Sequence, residues 1–389
     1  MNRAENPSGC GSLSRAENPA RSAKLAWQEY VDAEGQDVQR GRGASGNPAN
    51  RFEKLHVEFD PVERNESEDD ERPAVRTQFL RDATRTIIAR NNSPDVGFER
   101  SINPYRGCEH GCAYCFARPT HEYLGFSAGV DFESRIMVKE NAPELLEAEL
   151  ASAKWKPQPV FLSGVTDPYQ PVERKLRLTR RCLEVLAKFR NPVGIITKNR
   201  LVTRDIDVLK ELAEHNAVAV NVSVTSLDQK LQRILEPRTS SPQARLDAVA
   251  QLHAAGIPVG VMVAPIIPGL TDHEVPAILA ACGKAGAQSA GYVMLRLPWS
   301  VAPIFERWVD EHFPDRKEKI FGRVRAMRGG GERVYDSRWS VRQTGEGIFA
   351  EQIETMFNVA KRRAGIGSGR GELSTAAFRR PNEQLNLFA

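Results

Sequence analysis

The chain has 389 residues, 41% of them apolar and 27% charged, with a net charge of +4. That allows one large domain or two small ones with a substantial core, while so mild a charge bias does not by itself argue for a nucleic-acid partner. No apolar run reaches membrane length, the first residues lack a signal-peptide core, and six cysteines in so long a chain are not a disulfide framework, so a reducing cytoplasm is the expected compartment.

Residues 1–75 read as a disordered extension. Arg-Ala-Glu-Asn-Pro occurs at Arg3–Pro7 and again at Arg15–Pro19, and an acidic run spans Glu66–Glu71. Such composition buries too little apolar surface to offset ordering entropy.

Order is expected from about Thr77, and the next feature is the densest in the chain. Cys108, Cys112 and Cys115 fall within eight residues. Thiolates spaced so tightly converge on a metal centre. Gly107 and Gly111 remove side chains where a loop must wrap closely. With no fourth cysteine nearby, a four-iron cluster held here keeps one iron free to bind a small molecule. The alternative is zinc, held by the three thiolates with His121 or His110.

Cys-x3-Cys-x2-Cys with Tyr114 before the last cysteine resembles the radical S-adenosylmethionine enzymes. The resemblance implies a 4Fe-4S cluster on Cys108, Cys112 and Cys115, with Tyr114 near the adenine of bound S-adenosylmethionine. It also implies reductive cleavage of that cofactor to a 5′-deoxyadenosyl radical.

Beyond the cysteines the pattern becomes regular. Apolar runs at Val160–Val165, Val193–Thr197, Ala217–Val224, Val259–Ala264 and Gly291–Leu297 read as strands buried on both faces. Helical segments alternate with them at Ala142–Ala153, Leu178–Phe189, Asp205–Glu214, Pro242–Ala255, Asp272–Ala285 and Ile304–His312. This spacing predicts βαβ units and a parallel sheet. With a strand before the cysteines there are six repeats, fewer than a closed barrel needs. The fold class is therefore α/β, a partial (β/α)6 TIM-type barrel, and the resemblance, spanning Ile102 to Pro298, implies the same six repeats.

Polar residues at the strand ends are the candidate cofactor ligands. Thr166 and Asp167 end the second strand, where the resemblance places the cofactor's amino group. Thr166-Asp167-Pro168 replaces the family's usual Gly-Gly-Glu and is similar to the spore photoproduct lyase branch and its DNA-repair-like relatives. Lys198 ends the third strand and can pair with the cofactor carboxylate. Alternation puts Ser223 and Thr225 on one face of the fourth strand, suited to ribose hydroxyls. Arg296 is the one charge in its apolar run and calls for an anionic partner. Gly164 stands where that lyase branch carries the cysteine that returns a hydrogen atom, so pyrimidine-dimer repair by that route is not expected.

From Asp315 to Arg342, nine basic residues stand against four acids, with Phe321, Tyr335 and Trp339 interleaved. These are the ingredients of single-strand or flipped-base binding. An amphipathic helix from Glu346 to about Arg363 reads as core packing. The last residues, with Gln384, Leu385, Leu387 and Phe388, resemble the peptide that docks bacterial repair proteins on the sliding clamp.

The expected layout is a disordered extension (1–75), a partial-barrel core (76–300), a basic and helical extension (301–365) and a flexible tail (366–389). The expected function is a radical S-adenosylmethionine enzyme acting on nucleic acid, lyase-like, with DNA as a possible substrate and flavodoxin or ferredoxin as electron donor. A small-molecule or peptide substrate, or a zinc module that binds nucleic acid without catalysis, are the alternatives.

Overall fold

A computed structural model describes residues 27–28, 41–52, 75–162, 164–367 and 371–381. Among these residues the main sheet has seven strands. Strand β1 (Ile88–Arg90) runs antiparallel to β2 (Arg100–Ile102). Then β3 (Val160–Leu162), β4 (Val193–Thr197), β5 (Val218–Ser223), β6 (Val259–Ile266) and β7 (Ser289–Met294) follow in sequence order, each parallel to the last. Six parallel strands in unbroken order are the expected partial barrel; a doubly wound sheet would reverse direction midway. Valine and isoleucine dominate β4 to β6 because both faces are covered: every residue of β5 is buried.

Helices α1 (Ala142–Ala151), α2 (Leu178–Phe189), α3 (Ile206–Ala213), α4 (Pro242–Ala254) and α5 (Val275–Lys284) cover the outer face. Leu183 and Leu186 of α2, Leu209 and Leu212 of α3, Val249 and Leu252 of α4, and Ile278 and Leu279 of α5 pack on the strands. Each such burial contributes about 1.5–3 kcal/mol. Cys182 and Cys282 sit fully buried among them, as small apolar residues. Ser241 caps α4 through Ala244 N–H, with Pro242 at its first turn.

A second core underlies the cysteine loop. Ala113 and Tyr114 pack with Leu235, Ile267, Leu295 and Leu297, backed by Phe305 and Trp308 of α6 (Val301–His312) and Phe321 of α7 (Lys317–Ala326). The last helix, α8 (Ile348–Arg363), buries Ile353 and Phe357 in the main core, as its apolar stripe predicts.

Two expectations about chain ends are corrected. Residues 41–52 fall inside the supposed disordered extension, yet they lie as a strap against the cysteine loop. Gly43 and Ala44 donate their N–H groups to Glu133 at 3.0 and 2.9 Å. The small residues that read as disorder allow this approach: a Cβ on Gly43 would lie 1.6 Å from Gly111 O. The tail from 366 was expected to be flexible, but residues 371–381 run along the strands' amino-terminal end. There Ser374 donates to Asn216 O at 2.9 Å and Arg379 N–H to Phe189 O at 3.0 Å. The clamp-like residues Gln384, Leu385, Leu387 and Phe388, and most of the expected amino-terminal extension, lie outside the described residues.

Candidate metal centre and cofactor pocket

The loop after β2 carries Cys108, Cys112 and Cys115 at the carboxyl ends of the parallel strands. Its path is set by backbone bonds: Cys108 N–H to Phe132 O at 2.9 Å, Ala113 N–H to Leu235 O at 3.0 Å, and Cys115 N–H to Cys112 O at 3.2 Å. Gly107 and Gly111 take φ of +80° and +65°. A Cβ at Gly107 would sit 2.9 Å from Phe132 O, and one at Gly111 2.5 Å from a Glu133 oxygen.

Arg118, fully buried, ties the loop down. It donates to the carbonyls of Cys112 at 3.1 and 2.8 Å, Ala128 at 3.1 Å and Gly129 at 2.9 Å, and pairs with buried Glu133. Glu133 also receives the two strap amides, so strap, cysteine loop and Arg118 share one buried carboxylate.

The three thiols are held close enough to affect one another's ionisation. Burial pushes all three up, and for Cys108 the neighbouring Asp167, Cys115 and Cys112 add to it. Thiolates crowded in a low-dielectric pocket need cations, and soft sulfur ligands suit iron–sulfur clusters and zinc. The donor set therefore fits a cluster. Among the described residues no three His, Cys, Asp or Glu side chains are grouped to hold a single metal ion. His121 Nε2 is engaged elsewhere: it donates to Arg135 O at 2.9 Å, and the ring contacts Phe126 and Phe132. His110 lies 3.4 Å from Asp167 and 3.2 Å from Asn199.

Beside Cys112 is a charged network that brings together three of the expected cofactor ligands. Tyr114 OH donates to Glu236 and lies 3.5 Å from Thr225 Oγ1. Lys198 Nζ donates to Ala264 O at 2.7 Å and Thr225 Oγ1 at 3.1 Å, lies 3.2 Å from Glu236, and stands 5.6 Å above the Tyr114 ring. Glu236, from the turn after residues 229–235, is fully buried and pairs with Arg245 of α4. Burial alone would raise its pKa; Arg245 and Lys198, with the two hydroxyl hydrogen bonds, outweigh that and hold the carboxyl well below the usual range. Ser223 is buried on the same strand face, and Arg245 holds its carbonyl at 3.0 Å.

The other two expected ligands are placed differently. Asp167 accepts from Thr197 Oγ1 at 2.7 Å, Tyr169 N–H at 2.9 Å and Lys198 N–H at 2.7 Å, besides facing His110. Burial opposes its ionisation, but His110 and these donors keep its pKa low. Thr166 donates its hydroxyl to Tyr105 O at 3.1 Å. Both side chains tie the strand ends to the cysteine loop. At Gly164 a Cβ would lie 2.9 Å from Ser101 Oγ, so the position has no room for a side chain without a shift.

Glu236, Arg245, Arg118, Glu133 and Gln170 were not singled out by sequence reasoning. Gln170 accepts from Glu109 N–H at 2.9 Å and donates to Gly107 O at 3.3 Å. Glu236-Pro237 and Arg245 sit far along the chain from the cysteines, and nothing local marks them as buried. The basic aromatic segment also reads differently in three dimensions. Phe321 is core; Arg328 is fully buried and holds Leu295 O at 2.7 Å and Val341 O at 2.6 Å. Arg323 pairs with Asp272, Arg338 with Asp336 and Glu346, and Arg342 with Asp95. Most of these charges serve the fold and are not a phosphate-binding face.

An open α/β half-barrel with a buried thiol loop at its carboxyl mouth defines a class of cofactor-dependent domain. Residues 102–282 match the family model of the radical SAM superfamily, so that segment is a radical SAM domain. The superfamily works with a 4Fe-4S cluster and S-adenosylmethionine. An uncharacterized protein of Mycobacterium tuberculosis is 38% identical over 226 residues, 58% of this chain and 66% of that one, just under two thirds of its length. A radical SAM Nalpha-GlyT isomerase of Pseudomonas phage M6 is 27% identical over 172 residues, 44% of this chain and 34% of that one. Among solved structures, a variant of spore photoproduct lyase aligns with TM-score 0.52 and 16% identity, over 75% of this chain and 80% of that one, which establishes a shared fold. No helix among the described residues is long and apolar enough to cross a membrane.

Proposed function

We propose that the chain is a radical S-adenosylmethionine enzyme acting on nucleic acid. One observation carries it: two buried thiols, Cys108 and Cys112, the half-buried Cys115 and the Tyr114–Lys198–Thr225–Glu236 network share the carboxyl mouth of the half-barrel. Cys108, Cys112 and Cys115 would hold the cluster. With S-adenosylmethionine bound, that group supplies a 5′-deoxyadenosyl radical able to abstract a hydrogen atom from substrate.

The chain's own residues divide the remaining work. Tyr114 is fixed by its hydroxyl and offers a ring face to an adenine. Lys198 has three N–H donors and three acceptors in place. A cofactor carboxylate arriving there would replace one acceptor, with Glu236 remaining as the ion-pair partner 3.2 Å away. Thr225 and Ser223 line the same strand end for ribose. Thr166 and Asp167, with their hydrogen bonds used internally, act as positioning residues for the cysteine loop and Lys198. Arg118 and Glu133 hold the loop, and the strap covers it from water.

The substrate half is supported by arginine and aromatic side chains around the same mouth: Arg296, just past β7, lies 5.0 Å over Phe116, the residue after Cys115. A cytoplasmic setting, a flavodoxin or ferredoxin as reductant, and the clamp-like tail Gln384–Phe388 as a tether to the replication machinery belong to the same reading. The test is anaerobic reconstitution with reductant, S-adenosylmethionine and deuterated DNA. Deuterium in the 5′-deoxyadenosine supports the proposal. Label arriving only from peptide or small-molecule pools would overturn the substrate, and absence of cofactor cleavage would overturn the enzyme.

A further inference from the structure

Four chain segments that are distant in sequence bring exposed rings and arginines into one line at the barrel mouth. Phe52 ends the strap and meets Tyr123 with ring centres 4.9 Å apart. Arg51 lies 5.1 Å over Phe52 and 4.6 Å over Trp299. Trp299, in the loop after β7, lies 6.2 Å from Tyr335. Tyr335 is an electrostatic neighbour of Arg296, and Arg296 lies over Phe116 beside Cys115. The line thus runs from the outer surface to the thiol loop.

These rings are not core. Tyr123 is 71% exposed, Trp299 58%, Phe52 54% and Phe116 49%. Trp299 also has φ of +46°, an unusual conformation for a bulky residue. The fold thus keeps an indole in solvent on a strained backbone, and such outliers collect at binding sites. The guanidinium groups are unfinished as well. Arg51 spends Nε on Glu122 at 2.7 Å, yet its Nη2 is buried and has no hydrogen-bond partner among the described residues. Arg296 Nε is likewise buried and unpartnered there. Buried N–H donors are normally satisfied, so both call for an acceptor that the described chain does not supply.

We infer that this aromatic–arginine ribbon is the seat for an unpaired stretch of nucleic acid, its bases stacked on Trp299, Phe52 and Phe116 and its phosphates accepting from Arg51 and Arg296. Ring faces for bases, interleaved with cations for phosphates, are what single strands require. A protein partner would need an apolar pocket for its anchors, whereas the ribbon offers flat rings and N–H donors. A base pair hides its faces in the stack, so the ribbon selects unpaired or extruded nucleotides and leads them to the thiol loop. The inference rests on the nucleic-acid reading proposed above and adds its form and its contacts.

The experiment is fluorescence anisotropy on the full chain under anaerobic conditions, with a labelled 12-nucleotide DNA single strand, its duplex, the RNA of the same sequence and a mixed peptide pool. Expected is preference for the single strand over the duplex. Trp299→Ala weakens binding about tenfold and Trp299→Phe stays near wild type. Arg296→Gln lowers the salt slope by about 1. Tighter binding of RNA than of DNA upholds the ribbon and identifies the strand. Duplex binding as tight as single-strand binding overturns it, as does capture of peptide alone or wild-type affinity in Trp299→Ala. If Trp299→Ala binds unchanged while deuterium still passes from DNA to 5′-deoxyadenosine, the ribbon alone is wrong. If no nucleic acid donates deuterium, the substrate reading fails with it.

Discussion

Gly43→Ala should free the strap from the cysteine loop. The new Cβ would lie 1.6 Å from Gly111 O and 2.8 Å from its carbonyl carbon, contacts that backbone cannot relieve without separating the two segments. Separation breaks the amide bonds from Gly43 and Ala44 to Glu133, at 3.0 and 2.9 Å. Hydrogen bonds to a charged group contribute about 1.5–3 kcal/mol each. The freed segment regains backbone entropy, so the low end applies and the loss is about 3 kcal/mol. At about 1.4 kcal/mol per factor of ten, the open population of the strap rises on the order of 100-fold. Hydrogen–deuterium exchange of peptides covering 41–52 measures this. Gly97→Ala is the control, because nothing lies within 4 Å of a Cβ there. Exchange in Gly43→Ala within about threefold of wild type would refute the packing argument.

Three further outcomes follow from the same buried groups. Glu236→Ala leaves Arg245 buried without its carboxylate and Lys198 without one of its three acceptors. It should lower the unfolding free energy in urea by about 3–5 kcal/mol, and an unchanged midpoint would contradict a buried ion pair. His121 is fully buried, and burial pushes its pKa down from 6.5 to about 4. The unfolded chain therefore takes up this proton first as pH falls. Stability from this site is intact above pH 6.5 and lost progressively towards pH 4, by about 3 kcal/mol at about 1.36 kcal/mol per unit. Urea midpoints for wild type and His121→Phe should diverge in their pH dependence across that window; parallel curves would be the contrary result. Asp167→Asn keeps the shape but weakens acceptance from Lys198 N–H and Thr197, so S-adenosylmethionine affinity in the reconstituted protein should fall about tenfold. Wild-type affinity would remove Asp167 from the positioning role.

The barrel was legible because its signals are local. Valine-rich runs bounded by Gly and Pro mark strands covered on both faces, and three close cysteines mark their own loop. What escaped depends on contacts between distant segments. Arg118 and Glu133 look like ordinary surface charges, and only the fold buries them together. Glu236 is separated from Tyr114 by the whole span from β3 to β5. The strap was misread because Gly, Ala, Ser and Asn in residues 43–47 have the composition of disorder, while their small size is what lets them lie on Gly111. The basic run from Asp315 to Arg342 misled in the opposite sense: net charge says nothing of pairing, and Arg328 spends its donors on backbone carbonyls. The rings that do face the mouth, Trp299, Phe52 and Phe116, all lie outside that run.

The measurement that bears most directly on the thiol loop is iron and acid-labile sulfide per chain after anaerobic reconstitution, compared with Cys112→Ala. Expected are about four irons and four sulfides in a brown protein that forms 5′-deoxyadenosine under reduction, with all of these lost in the variant. A colourless chain holding one zinc and no labile sulfide would contradict it.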